Sequence, residues 1–316
     1  MNVEAGQLDR TGFLGGSDIA AVVELSPWAT PLKLYEKKTG TQTEQPSRGK
    51  KRLFSRGHVW EKVVAEMLVQ RLEADGHQVE IVATNQIYID PDVPYFSCEI
   101  DFEIRLDGEE EITNVELKTV HPFAAREWGE DDSDECPVHY AAQAMWGMGI
   151  TGRKRCLVAP LFGADEIRVY PVERDDATII WLRERGADFW TLHVIPRRQP
   201  APINLGDLKR AFPKAVDETV TGHDEHKAAA LRYLSLDAQI EALSAQRDEV
   251  EFFLKGYMGP AVGLVLPGET TPAVTWKDRA WSALDQAGLK EAHPDIHKRF
   301  MQKGTSRVFN IRKIPV

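Results

Sequence analysis

The segment over residues 96–119, FSCEIDFEIRLDGEEEITNVELKT, constrains this chain more than any other stretch. It reads as a β-hairpin, with one strand over 102–106, a turn begun by Asp107-Gly108 and a return strand over 115–119. Asp-Gly between alternating apolar runs is the strongest short hairpin signal. Strand side chains alternate faces, so Glu116 and Lys118 share one face while Leu117 turns to the core. Asp101 enters the first strand where it can lie opposite that pair. Two carboxylates and a lysine then meet in one small site. Such carboxylates suit Mg2+ or Mn2+, hard cations that take oxygen ligands, and the Leu117 carbonyl offers a further oxygen. Lys118 is placed to position or deprotonate an attacking water, since burial readily lowers a lysine's pKa. Alone the pattern is weak, because acidic and basic residues alternate on many solvated strands. The flanking sequence decides.

A chain of 316 residues suffices for one large or two modest domains with a real core. Net charge of -10 argues against a non-specific nucleic-acid coat, which would be basic. It leaves a nuclease open, because a nuclease site is itself acidic and bound cations face the phosphate. Three scattered cysteines, Cys98, Cys136 and Cys156, have no metal-ligand spacing and fall short of an iron–sulfur set. No apolar run is long enough to span a bilayer and the start, MNVEAGQLDR, is no signal peptide, so a cytoplasmic location in a bacterial or phage-infected cell is expected.

In chain order, Gly15-Gly16-Ser17-Asp18 precedes a short apolar helix over 19–25, with Ser17 or Asp18 as its N-cap. Exposed N–H groups there favour an anion, and Arg10 lies within reach of the same anion. Taken alone, these residues are better explained by a plain capped helix. Ser26-Pro27-Trp28 breaks the helix, and Thr30-Pro31 starts another that stops at Gly40. Residues 41–51 are polar. A third helix is expected over 56–74 with Glu61 in its first turn, then a strand over 79–89. Residues 121–138 read as an acidic surface loop. A helix over 140–150 places Tyr140 and Gln143 one turn apart. Strands over 155–161 and 166–172 and a helix over 175–192 follow. The proline-punctuated run over 195–202 suggests a boundary, giving domains of 1–198 and 199–316. The second carries a long helix over 225–255, turn and strand pairs over 256–275, and a basic cluster of Lys277, Arg279, Lys290, Lys298, Arg299, Lys303, Arg307, Arg312 and Lys313. That cluster reads as a solvated surface or a DNA contact with equal weight.

Taken together, LGGSDIAAVVELSPWATPLKLYEKKTG, RGHVWE, IDFEI followed by VELKT, and HYAAQAMWGMGITG resemble the YqaJ-like viral recombinase family, the lambda-exonuclease branch of the PD-(D/E)XK nucleases. Four motifs in order, over roughly 10–194, are far more specific than any one of them. The resemblance implies an α/β (α+β) restriction-endonuclease-like core, a mixed central sheet flanked by helices, with an additional mostly helical C-terminal region. It implies Asp101 and Glu116 as metal ligands beside the Leu117 carbonyl, Lys118 as the catalytic lysine, and Glu61 near a second metal or its waters. Gln143 and Tyr140 would line the site, and Arg10 and Ser17 would grip a terminal 5′-phosphate. Ile100 departs from the family's proline before the aspartate, and the region after about residue 202 has no counterpart in a minimal enzyme of this type.

The function so implied is a Mg2+-dependent 5′–3′ exonuclease, with Mn2+ as a substitute cation, resecting duplex DNA ends in phage-type recombination and leaving 5′-phosphate products. Divalent cations would stabilise both attacking and leaving oxygens of an in-line displacement. Implied partners are a single-strand annealing protein and further copies of the chain in a ring. Two alternatives remain: an endonuclease of the same fold in restriction or defence, and an inactive DNA-binding or assembly module. The complete set of Glu61, Asp101, Glu116 and Lys118 speaks against the last.

Overall fold

The computed structural model describes residues 10–41, 48–302, 304–312 and 314, without the side chains of 48 and 50–58. The start of the first expected motif before Arg10, part of the polar stretch over 41–51, and Lys303 and Lys313 of the basic cluster therefore lie outside the described residues. The chain forms two compact units, one ending at Ala211 and the other starting at Phe212.

In the first unit, α1 (Gly16–Val22) and α2 (Pro31–Thr39) come first. The N-cap of α1 is Gly15, not Ser17 or Asp18; the Asp18 carboxylate accepts from the Gly15 N–H at 3.2 Å from inside the helix. The helix also ends at Val22, short of residue 25, and Glu24 takes φ 62. Thr30 caps α2 through its hydroxyl, and Gly40 ends it with φ 69, a conformation glycine adopts freely. Helix α3 spans Arg48–Ala74. It begins well before residue 56 because lysine and arginine extend a helix without adding an apolar stripe. Glu61 is consequently a mid-helix residue.

The sheet follows: β1 (Val79–Ile89), β2 (Ser97–Leu106), β3 (Thr113–Val120), then α4 (Val138–Thr151), β4 (Arg155–Phe162), β5 (Glu166–Ile167) and β6 (Tyr170–Glu173). Strands β1, β2 and β3 are antiparallel neighbours; β3 and β4 are parallel, joined by the α4 crossover; β5 and β6 share the far edge of β4. The expected strand over 166–172 is thus two short ones. Asp107 and Gly108 both have positive φ, 55 and 75, as an Asp-Gly hairpin turn requires. Helix α5 (Asp176–Phe189) runs into one π turn over Trp190–Val194, and α6 (Leu205–Ala211) is tied to α2 by Thr30–Asp207 at 2.8 Å and Arg210–Glu36 at 3.0 Å. These ties hold residues beyond 198 to the first unit.

One face of the sheet packs on α3 through Val64, Leu68 and Leu72 against Phe102, Ile104, Val115, Leu117, Leu157 and Leu161. The other packs on α1, α4 and α5 around Phe96, Trp146 and Leu182. The architecture is the expected mixed sheet flanked by helices. The acidic loop is not wholly a surface feature: Trp128 is buried, and Asp131 accepts the Val169 N–H at 2.8 Å and pairs with Arg71 at 3.0 Å.

The second unit is mostly helical. Helix α7 (Asp224–Met258) is followed by the short pair β7 (Gly263–Leu264) and β8 (Val274–Thr275), then α8 (Gln286–Ala292) and α9 (Pro294–Phe300). On α7, Tyr233, Leu236, Ile240, Leu243, Val250 and Tyr257 are exposed. Among the described residues no helix is long and apolar enough to cross a membrane.

Candidate active site

Strands β2 and β3 pair only from Ile104–Thr113 to Phe102–Val115 and then part. Into the gap goes Asp101, whose Oδ2 accepts the Leu117 N–H at 2.9 Å. Asn85 of β1, across from Asp101, has φ 51, and that pair is missing from the ladder. Face alternation slips here as well: Cys98 and Ile100 pack with the Trp146 cluster, whereas Phe102, Ile104 and Leu106 pack under α3. A strand that kept strict alternation would hold its even-numbered residues on one face.

On β3, alternation holds. Leu117 joins the α3 cluster, and Glu116 and Lys118 turn together toward α4. Glu116 is buried, and one of its oxygens, Oε1, accepts from both Lys118 Nζ and Gln143 Nε2. The Tyr140 ring lies 5.2 Å from Lys118 Nζ. Glu61 comes near enough to Asp101 to disfavour its charge. The structure thus brings together Asp101, Glu116, Lys118, Gln143 and Tyr140 and sets Glu61 beside them.

Burial and the neighbouring Glu116 push the Asp101 carboxyl well above its usual range, against the pull of Lys118. For Lys118, burial works against the charge, but Glu116 and Asp101 outweigh it and raise its pKa. The expectation of a lysine depressed by burial is therefore corrected in direction: beside two carboxylates the Lys118 pKa is raised. Among the described residues no three His, Cys, Asp or Glu side chains form a ready metal cage. Two converging carboxylates nonetheless fit Mg2+, which binds through one or two carboxylates and keeps several waters. The strained ionisation of Asp101 is what a divalent cation would relieve.

Arg10 reaches the site through Glu99, whereas Ser17 is exposed on α1 and, among the described residues, makes no contact to the cluster that the structure records. The Leu14 N–H donates to Tyr95 at 2.7 Å and Ser97 returns a bond to Leu14 at 2.9 Å, so the leading segment runs along the start of β2. Arg10 pairs there with Glu99 at 3.0 Å. Gly16, next to the exposed Ser17, lines a cavity with Glu99, Glu116, Asn114 and Gln143. A side chain at Gly16 would come within 3.2 Å of Gln143 Cγ, so glycine lets α1 approach the site closely.

Sequence reasoning passed over two groups. Beneath the cavity, Arg153 pairs with the buried Glu103 at 2.8 Å and donates to Asn114 and to Tyr88, whose hydroxyl donates to Glu103 at 2.8 Å. Only tertiary contact joins these residues. The second group is aromatic. Trp28 meets His139 edge-on at 4.7 Å and Tyr140 at 6.0 Å, and Trp128 stacks on Tyr140 at 5.3 Å. The adjacent His139-Tyr140 pair was its one visible signal.

Residues 7–154 match the YqaJ-like viral recombinase domain. The chain is 26% identical over 315 residues to the protein YqaJ of Bacillus subtilis strain 168, which covers 97% of this chain and 93% of that one. Among solved structures, LHK-Exo in complex with dAMP shares 17% identity at a TM-score of 0.44, covering 64% of this chain and 94% of its own. LHK-Exo is an alkaline exonuclease from Laribacter hongkongensis. A SOX–DNA complex shares 11% identity at a TM-score of 0.38, covering 60% of this chain and 67% of that one.

Proposed function

We propose that this chain, which carries a YqaJ-like viral recombinase domain over residues 7–154, is a divalent-cation-dependent DNA nuclease of phage-type recombination that works inward from duplex ends in the 5′–3′ direction. The observation that carries this reading is the convergence of Asp101, Glu116, Lys118 and Gln143 where β2 and β3 part.

Asp101, Glu116 and the Leu117 carbonyl would hold Mg2+ or Mn2+, with Glu61 toward a second ion or its waters. The cation supplies charge neutralisation at the phosphate and lowers the pKa of water. The protein's own groups do the rest. The Leu117 N–H fixes one oxygen of Asp101. Glu116 holds Lys118 and Gln143 on one oxygen, so their donors sit side by side and orient a water and the scissile phosphate. Lys118 Nζ, held by Glu116, would position a water or a phosphate oxygen. The Tyr140 ring lies against Lys118 Nζ at 5.2 Å. Arg10 and Ser17 would receive the terminal 5′-phosphate, Arg10 by exchanging Glu99 for phosphate oxygens. The products would be 5′-phosphates and 3′-hydroxyls.

The test is cleavage of end-labelled linear duplex with Mg2+ or with excess chelator, alongside calorimetric titration of the cation into the unaltered chain and Glu116→Gln. Cation-dependent release of nucleotides, and loss of both cation binding and cleavage in Glu116→Gln, support the reading. Undiminished cleavage in chelator overturns it.

A further inference from the structure

A line of rings leads from the candidate site to the surface. Tyr140 lies 5.2 Å from Lys118 Nζ; His139 lies 4.1 Å from Tyr140; Trp28 lies 4.7 Å from His139 and 6.0 Å from Tyr140. Trp28 is 62% exposed, although it is the largest apolar side chain type and Trp146 in the same unit is wholly covered. Its position is nevertheless well defined. Pro27 precedes it, the N–H groups of Trp28 and Ala29 donate to Ser26 Oγ at 3.2 and 3.3 Å, and Lys33 Nζ donates to the Trp28 carbonyl at 2.7 Å. The turn between α1 and α2 thus holds out an indole, backed by His139, next to the catalytic cluster. An exposed aromatic surface continuous with a phosphate-handling site has the chemistry of a base-stacking platform, since every nucleobase offers a π-face whatever its sequence. Lys33, bonded to the Trp28 carbonyl, adds a positive charge suited to a polyanion.

We infer that Trp28, backed by His139 and Tyr140, stacks a nucleobase of the DNA strand whose phosphate lies at Lys118 and Glu116. This rests on the nuclease reading above and adds to it how the strand is held in register. Successive bases in a strand rise about 3.4 Å. A ring 6.0 Å beyond Tyr140 therefore serves a base within a few steps of the bond to be cut. Stacking orients the strand without reading its sequence, which suits an enzyme that must accept any sequence in turn.

The experiment is equilibrium binding, by fluorescence anisotropy, of partial duplexes with a short 5′-phosphorylated single-stranded end, in excess chelator to prevent cleavage. One abasic residue is moved along that end, and the full chain is compared with Trp28→Ala and Trp28→Phe. For the unaltered chain, one abasic position should weaken binding by roughly five- to a hundredfold, the range for loss of one base–aromatic stack. Trp28→Ala should lose a similar factor on the intact strand and lose nothing more at that position, whereas Trp28→Phe retains most of the affinity. This non-additivity is a readout that a merely structural tryptophan would not give. Unchanged binding by Trp28→Ala, or losses from the abasic residue and Trp28→Ala that multiply, overturns the platform while unaltered cleavage leaves the nuclease reading standing. If the unaltered chain neither binds these DNAs nor cuts them with Mg2+, both fall together.

Discussion

Asp18→Asn tests how the segment bearing Arg10 is held against the rest of the first unit. Asp18 is buried, and its Oδ2 accepts from Lys38 Nζ at 2.6 Å, its Oδ1 from Lys37 Nζ at 3.0 Å. Lys38 is fully covered and also donates to the Arg10 and Phe13 carbonyls, at 2.7 and 2.5 Å. The pair therefore pins residues 10–13 to α2. Asparagine keeps the shape and an acceptor but removes the charge, leaving a buried ammonium with carbonyls alone. Breaking a buried pair from one side costs about 3–5 kcal/mol. The two remaining carbonyl bonds put this case at the lower end, about 3 kcal/mol.

The loss should also vary with pH. Burial lowers the Lys38 pKa against the opposing pull of Asp18, so without Asp18 it falls further. A lysine depressed in the folded state weakens folding below its unfolded value, and raising pH removes that penalty. The deficit of Asp18→Asn should therefore narrow as pH climbs toward about 10.4. At the acid end, burial raises the Asp18 pKa but Lys38 and Lys37 prevail and lower it. The parent's advantage is thus present above about 3.9 and fades as pH falls below it. Urea unfolding of the full chain between pH 6 and 10, followed by near-UV circular dichroism, measures this. A deficit below about 0.5 kcal/mol, or one unchanged across that range, would refute the reasoning.

Other outcomes are expected. Lys118→Ala should cut turnover by roughly 10²–10⁴-fold while DNA binding measured in chelator persists; equal loss of both would reduce the lysine to a phosphate contact. Arg10→Ala should erase most of the preference for a 5′-phosphate over a 5′-hydroxyl end in single-turnover rates, leaving cation affinity unchanged. Gly149→Ala should lower the melting temperature, because its Cβ would lie 2.8 Å from Ile179 Cγ2 where α4 packs on α5, an overpacking worth about 1–3 kcal/mol. Light scattering with DNA present should give an oligomeric mass, as the family resemblance implies; a monomeric mass would count against the ring.

Much of the site was legible because it rests on local rules. Asp107-Gly108 fixed the turn, and period-two alternation put Glu116 and Lys118 on one face with Leu117 opposite. What escaped depends on contacts distant in the chain. The slip in alternation at Asp101 lies opposite Asn85, whose φ is 51, in the neighbouring strand, and no period within β2 reveals it. Asp18 reads as a helix cap and does accept the N-cap N–H of Gly15, but its ion pairs with Lys37 and Lys38 on another helix are invisible in the sequence. For Lys118 burial alone was weighed, whereas two carboxylates brought in by folding raise its pKa. The early start of α3 had no apolar stripe to announce it.

The most direct test of the central claim is the fate of one plasmid DNA offered in two forms, covalently closed circle and linear duplex with 5′-phosphate ends, with Mg2+ and enzyme in excess. The account predicts that the linear form is shortened from its ends to 5′-mononucleotides while the circle survives intact over the same period. Nicking or linearisation of the circle as fast as the linear form is consumed would contradict it and assign the same residues to an endonuclease.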